Sequence, residues 1–465
     1  MSEAERRACR YRADNARHAL DPVYDPAVLR SRRAALVRRG RLPLSDTAPP
    51  CGILRLFAGA RVGTDDLALA ELGAVELLDL DIRPENLNAL HPAVPVHTWS
   101  PNTPILDQLR THQYEDTPFL LAANLRPGFY APEAQYDVDV GTFRHCDARH
   151  PQSDLNNVLR ALRHTFPGMK LLVFATPPCR MTSHANTTTD PADKQAFVRH
   201  IEAVLTQLRY ALAFGLVDDV VVEESCSADA AQHFVQKLNC VDRITPPQFG
   251  YAKVDAADYH APSTRKRMLF ARHDTLACLP RPADDWVGWA PVLGASPYSQ
   301  LLLSSNTWRG QNMVCGGSPC NTLTGNGMSA CLDGTGDDPT LVTLDPVEHA
   351  KLVGCRPDDP KLRHLLALPR RFAIKLAGMT TCVQFDLAAV AASMQRMGCV
   401  ADAHTAFWEA ERRRRALFPP PPRGKRVRWH RFLVQLKEGR LSRTQFECRL
   451  ARLLEQYKRH AVKTR

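Results

Sequence analysis

The chain has 465 residues and a formal net charge of +11, with 44% hydrophobic and 23% charged residues, the proportions of an ordinary globular protein. No apolar run reaches the roughly 18–20 residues that crossing a membrane takes, and the Arg-rich N-terminus lacks the apolar core of a secretory signal, so neither a membrane nor an export role is expected. The 14 cysteines form no CxxC pair and no Cys/His cluster at zinc spacing, so no metal site is expected, and reduced thiols in an intracellular protein are.

The charge is unevenly spread. Residues 1–50 carry +5, residues 412–465 carry +15, and the body between them, 51–411, carries −9. Basic ends on an acidic body are suited to holding a polyanion by counterion release, which makes nucleic acid the expected partner; the expected compartment is the nucleus in a eukaryotic host and otherwise the cytoplasm.

Taken in order, residues 1–50 read as a basic extension of short helices ending at Pro49-Pro50. From Ile53 the pattern changes. ILRLF (53–57), VELLDL (75–80), KLLVF (170–174) and DVVVE (219–223) are short, continuously apolar runs, as expected of parallel strands buried on both faces. Helical patterns such as 193–215 alternate with them. This predicts an α/β, Rossmann-like, doubly wound and mostly parallel sheet over 51–274. Residues 83–142, rich in Pro, Asn and Tyr, read as an insertion, and 275–335, with Trp286, Trp289, Trp308 and Arg309, as a small irregular lobe. Residues 336–411 return to the main domain, with a helix at 383–398. PPPP (419–422) separates a basic C-terminal extension, 412–465, whose Thr444 and Glu447 suit a capping box ahead of an apolar helix face.

Two groups of residues carry chemistry. LFAGARVG (56–63) leaves the first strand and opens a helix; Gly59 permits a tight turn, and Asp79 and Asp81 end the next strand, where a carboxylate can hold ribose hydroxyls. ATPPCRMTS (175–183) leaves the third strand, and its two prolines hold Cys179 at the carboxyl edge of the sheet, where ligands bind. Arg180 beside it can favour the thiolate. VVVEES (220–225) brings Glu223 and Glu224 to the same edge. In ADYHAPSTRKRMLFAR (257–272), Arg265 and Arg267 are two apart, a spacing that points both guanidiniums the same way on a strand, suited to gripping a carbonyl or carboxylate.

Together these segments resemble, in order over roughly 53–398, the cytosine carbon-5 methyltransferase family. LFAGARVG looks like the family's F-A-G-x-G-G loop, LLDLD (77–81) its ribose-binding acid, RHCDARHP (144–151) its adenine-binding segment, TPPC its Pro-Pro-Cys loop, and VVEES its Glu-Asn-Val strand end. VDAADYHAPSTRKR (254–267) resembles the A-D-Y-G-x-P-Q-x-R-x-R stretch; SPCNTLTGNG (318–327) and LDPVEHAKLVGCRPDD (344–359) resemble the segments that close the target-recognition region; FAIKLAGMTTCVQFDLAAVAASM (372–394) is similar to the final G-N-A-V helix. The chain departs from the family at Arg61-Val62, Arg180, Glu224, Ser263 and Met379.

The resemblance implies S-adenosylmethionine as cofactor, held by Phe57, Ala58, Gly59, Asp79, Leu80, Asp147, Pro177, Met379 and Thr380. It implies catalysis by Cys179, Glu223, Arg265 and Arg267 on a cytosine flipped out of DNA, with the chain acting as a monomer on nucleic acid. Transfer RNA is the alternative substrate, and a catalytically impaired DNA-binding relative the alternative of another class.

Overall fold

The computed structural model describes most of residues 49–98, 154–177, 204–239 and 249–418, with Leu109, residues 118–122 and a short strand pair, Tyr136–Asp137 and Thr142–Phe143. Cys179, Asp147, Met379, Trp308 and Arg309 lie outside the described residues, as do residues 1–48 and 419–465 of the two basic extensions and with them the proposed capping box at Thr444 and Glu447.

The described chain divides into two units. Among the described residues, the first comprises those up to Asp255, Lys266–Pro282 and Val383–Arg414, and the second Ala256–Arg265, Ala283–Cys382 and residues 415–418. The first is built on an eight-stranded sheet: β1 Cys51–Leu56, β2 Ala74–Asp81, β3 Val96–Thr98, β4 Phe119–Ala122, β7 Lys170–Ala175, β8 Asp219–Glu224, β9 Phe249–Asp255 and β10 Lys266–Arg272, β5 and β6 being the short pair above. Its order is β3-β4-β2-β1-β7-β8-β10-β9. Every pairing from β3 to β8 is parallel, and β10 runs antiparallel between β8 and β9. This is the expected mostly parallel, doubly wound α/β sheet. All four apolar runs are strands, buried along nearly their whole length because helices cover both faces.

The stretch 83–142 is not wholly an insertion. It supplies β3 and β4, and β4 pairs with β2 inside the main sheet. Phe119, Leu120 and Leu121 are fully buried there, so this segment completes the core.

Chain direction across the sheet reverses between β1 and β7. From β1 the chain moves outward through β2 to the edge strand β3, steps back to β4 between them, then crosses to β7 on the other side of β1. Such a reversal opens a crevice at the carboxyl ends of the two central strands. The helix Val383–Arg396 closes this unit. It is buried on all sides from Val383 to Met394, including Gln384, Asp386 and Ser393, as expected of a core helix. Its two ends are tied down by charge: Asp386 takes both terminal nitrogens of Arg55 on β1, at 2.7 and 2.8 Å, and Arg396 meets Asp219 at the start of β8, at 3.1 Å.

The second unit is less irregular than the composition of 275–335 suggests. It contains an antiparallel sheet in the order β12-β11-β13-β14, with β11 Gln300–Leu303, β12 Met313–Cys315, β13 Met328–Leu332 and β14 Thr340–Thr343. Helices Pro346–Leu352, Lys361–Ala367 and Arg370–Gly378 follow, the first opened by a capping box between Asp345 and Glu348. Trp289 is the buried anchor, its indole donating to the Val314 carbonyl at 3.1 Å, while Trp286 is exposed and donates to Asp258. The 262–264 and 320–322 segments are stitched together: Cys320 donates to the Pro262 carbonyl at 2.8 Å and Thr264 to that of Cys320 at 2.7 Å. Among the described residues no single helix is long and apolar enough to cross a membrane, and no cluster of His, Cys, Asp and Glu could hold a metal ion.

Candidate active site at the sheet edge

The loop after β1 is set by backbone conformation before any side chain acts. Phe57, Gly59 and Arg61 all take left-handed backbone, with φ of 60°, 57° and 54°. Only glycine adopts this region freely, so the two others are held there by their surroundings. Ala58 donates to the Leu80 carbonyl at 3.1 Å, and Gly59 donates to the Asp81 carboxylate at 3.0 Å, which binds the loop to the tip of β2. A Cβ placed on Gly59 would meet nothing within 4 Å, so the outer side of the turn is open. The helix Asp66–Leu72 that follows is capped by Asp65, whose carboxylate accepts from Ala68 at 3.0 Å. The amides at this helix start are therefore partly engaged by the chain itself.

The two acids of LLDLD part company. Leu80 pairs with Leu56, the last residue of β1, so Asp81 stands at the strand tip. Asp79 lies two positions further in, opposite Arg55, and is 0% exposed. Its carboxylate meets Arg61 at 3.0 Å. Burial pushes its pKa up to about 7; Arg61 opposes this and nearby Glu76 adds to it. Expecting Asp79 to hold ribose is thus at odds with its burial, and the carboxylate placed at the edge is Asp81, which also accepts from the Arg83 amide at 2.9 Å. Leu80 is likewise fully buried.

Beneath this loop lies a set of buried charges. Arg55 on β1 donates to Glu76 at 2.6 Å and, bidentately, to Asp386, and its guanidinium sits 5.0 Å from the centre of the Phe174 ring. Burial works against its charge, but Asp386 and Glu76 more than offset that and hold it protonated. Asp386 is pushed above the usual carboxylate range by burial, with Arg55 pulling the other way. The signal in the sequence is a charge inside each of two apolar strands, Arg55 in ILRLF and Glu76 in VELLDL; a buried charge needs a partner.

On the other side of the crevice, Thr176 leaves β7 and ties itself to the loop after β1. Its amide donates to the Leu56 carbonyl and its hydroxyl to the Phe57 carbonyl, both at 3.1 Å. Pro177 follows, buried, and Cys179 is two residues beyond it, outside the described residues. At the end of β8, Glu223 is 6% exposed and meets the Arg267 Nε at 2.7 Å. The antiparallel register makes this contact: Leu269 faces Glu223, and Arg267 lies two residues along β10. Glu224 turns away and accepts from the Ser225 amide at 2.9 Å.

Arg265 does not act as a twin of Arg267. It precedes β10, belongs to the second unit and donates to the Gly378 carbonyl at 3.2 Å. Strand alternation cannot align the two guanidiniums because the strand begins only at Lys266. Thr380, also in the second unit, is half-buried.

No family model matches the chain, and no curated protein does. Solved structures do. The chain is similar to methyltransferases. Dnmt2 methyltransferase of S. pombe aligns with a TM-score of 0.39 and 15% identity over 74% of this chain and 98% of its own. The Entamoeba histolytica methyltransferase EhMeth aligns at 0.42 and 9% over 75% and 99%. A mutant of Spodoptera frugiperda DNMT2 aligns at 0.37 and 12% over 73% and 97%.

Proposed function

We propose that this chain transfers a methyl group from S-adenosylmethionine to carbon 5 of cytosine in DNA, with Cys179 as covalent nucleophile. The observation that carries the reading is the meeting of two loops at the switch point: the Thr176-Pro177 turn that leads to Cys179 is hydrogen-bonded to the Leu56-Phe57 turn that opens the Gly59 loop. The next strand in the sheet, β8, ends in a glutamate held by an arginine. The Gly59 loop, the turn that leads toward Cys179 and the Glu223 strand end thus leave the same edge of the sheet, which supports this reading.

The residues fit the cofactor. Open space lies beside Gly59, and Asp81 at the strand tip presents a carboxylate suited to ribose hydroxyls. S-adenosylmethionine, when bound, supplies a methyl group on a positively charged sulfur. The chain's own residues do the rest. Carbon 5 of cytosine is a poor nucleophile; addition of the Cys179 thiolate to carbon 6 turns the ring into an enamine-like species that is a better one. Glu223 accepts from the exocyclic amine and, when protonated, donates to ring nitrogen 3, while Arg267 holds the glutamate. Departure of the carbon-5 proton and then of Cys179 restores the aromatic ring. A base inside a duplex cannot reach such a site, so it is flipped out at a cost of a few kcal/mol.

Bisulfite sequencing of DNA from cells expressing the protein tests the activity, and tritium transfer to DNA and RNA side by side tests the substrate. Cys179→Ser is expected to abolish transfer while leaving cofactor affinity within a few-fold, because an alcohol is far less ionised than a thiol. Turnover retained in that variant places the nucleophile elsewhere.

A further inference from the structure

Arg61 takes no part in the chemistry above, yet the loop is built around it. It holds left-handed backbone, at φ 54°, where a Cβ is unfavourable, and its side chain is only 2% exposed. The guanidinium is enclosed by acids from the two elements that follow the loop. It pairs with Asp66 on the Asp66–Leu72 helix, and on β2 it meets Asp79 at 3.0 Å and Glu76 at 3.7 Å. Glu76 in turn binds Arg55, and Arg55 binds Asp386. A chain of alternating charges therefore runs from the loop, across β2 and β1, to the closing helix.

Such a residue is over-determined by its partners. A strained loop position persists only where the surroundings fix it, and a buried guanidinium only where acids compensate it. The same residue also shapes the turn. The Arg61 amide donates to the Ala58 carbonyl at 3.3 Å, and the Arg61 carbonyl accepts from Thr64 at 3.2 Å. Between Ala58 and Arg61 lies Gly59, whose amide is on Asp81. Pulling the guanidinium off its acids would release both backbone bonds and with them the Gly59-Asp81 contact.

We infer that Arg61 is a positioning residue for the cofactor: anchored on Asp66 and Asp79, it fixes the Ala58–Thr64 loop in the shape that receives S-adenosylmethionine. This rests on the methyl donor proposed above. It differs from the simpler idea that the loop needs only a residue tolerant of left-handed backbone, which glycine would satisfy better than arginine.

The test is calorimetric titration of the full-length protein with S-adenosylhomocysteine, the demethylated cofactor, at a temperature well below the melting midpoint of each variant. Arg61→Met is expected to weaken binding at least 10-fold and to raise the cofactor KM by a similar factor, with kcat at saturating cofactor within about 3-fold. Arg61→Gly relieves the backbone but not the missing guanidinium, so it is expected to bind as weakly as Arg61→Met. Arg61→Lys, which keeps the charge, is expected to recover most of the affinity. A merely structural role would lower the melting temperature and leave the dissociation constant of the folded variants unchanged. If Arg61→Met does not fold, Asp66→Asn loosens a single partner on the less buried side of the cluster, and a several-fold weaker dissociation constant is expected. Wild-type affinity in Arg61→Gly or in Asp66→Asn overturns the inference while leaving the methyl donor intact. A wild-type protein that does not bind S-adenosylhomocysteine overturns the methyl donor, and the inference with it.

Discussion

Replacing Asp79 by Asn should flatten the dependence of stability on pH. In the folded protein this carboxyl is wholly buried and titrates near 7, burial being the main cause, whereas in the unfolded chain it titrates near the ordinary value of about 4. The folded state therefore holds a proton that the unfolded state has released throughout the interval between those values. Stability contributed this way is present at the acid end and lost as pH rises through about 7. Between pH 5 and the folded value lie roughly two units at about 1.4 kcal/mol each, so the wild type should lose on the order of 3 kcal/mol by pH 8 through this group. Asn is nearly isosteric and carries no titrating proton. Denaturant unfolding at pH 5, 6, 7 and 8, wild type against Asp79→Asn, reads the contribution of this carboxyl together with its coupling to Glu76 and Arg61. Parallel stability curves would refute the reasoning, and a difference that grows toward acid in favour of Asp79→Asn would reverse its sign.

Glu223→Gln should cost roughly 100-fold or more in kcat, since it removes both the Arg267 partner and the carboxyl proposed above to meet the base, whereas Glu224→Gln, whose carboxylate caps the Ser225 amide, should cost far less; steady-state kinetics on the two variants decides, and the opposite ranking would put the base on Glu224. Gly288→Ala should destabilise the second unit by about 1–3 kcal/mol or more, because the new Cβ would lie 2.2 Å from the Gly316 carbonyl oxygen, beside the segment that receives Trp289; an unchanged melting profile would contradict that packing. Truncation after about residue 411 should weaken DNA binding at low salt and flatten the plot of log affinity against log salt, by roughly 0.9 for each phosphate that the shortened chain no longer neutralises, with base preference little changed; equal slopes for full-length and truncated chains would show that the +15 tail does not touch DNA.

The parts of the fold that could be read in the sequence were those governed by one physical rule acting locally. Four continuous apolar runs became four parallel strands because burial on both faces leaves no other composition. β4 escaped notice because its FLLA core is four residues long and framed by Pro, Asn and Tyr. The choice between Asp79 and Asp81 was not local at all. Alternation puts both on the same face, and which one reaches the tip depends on where β1 stops, a fact of the Leu56–Leu80 pairing. Arg265 and Arg267 failed as a pair for a related reason: a spacing of two aligns side chains only inside a strand, and this strand starts between them. Glu223 and Arg267 were both legible as chemistry, but their contact needed the antiparallel register of β8 and β10. Arg55 and Asp386, 331 positions apart, could not have been matched by any reading of the sequence alone.

That pairing of Arg55 with Asp386 bears on how the protein is made. The first unit is discontinuous: its sheet is encoded before residue 283, and its closing helix only after residue 382. A nascent chain that has emerged through β10 has every strand of the sheet but lacks Asp386, so Arg55 has no bidentate partner, and Asp219 has no Arg396. Long-range closure of this kind is slow. During synthesis of the intervening hundred residues the apolar surface that Val383–Met394 will cover stands open, an aggregation-prone interval that the arrival of this helix closes.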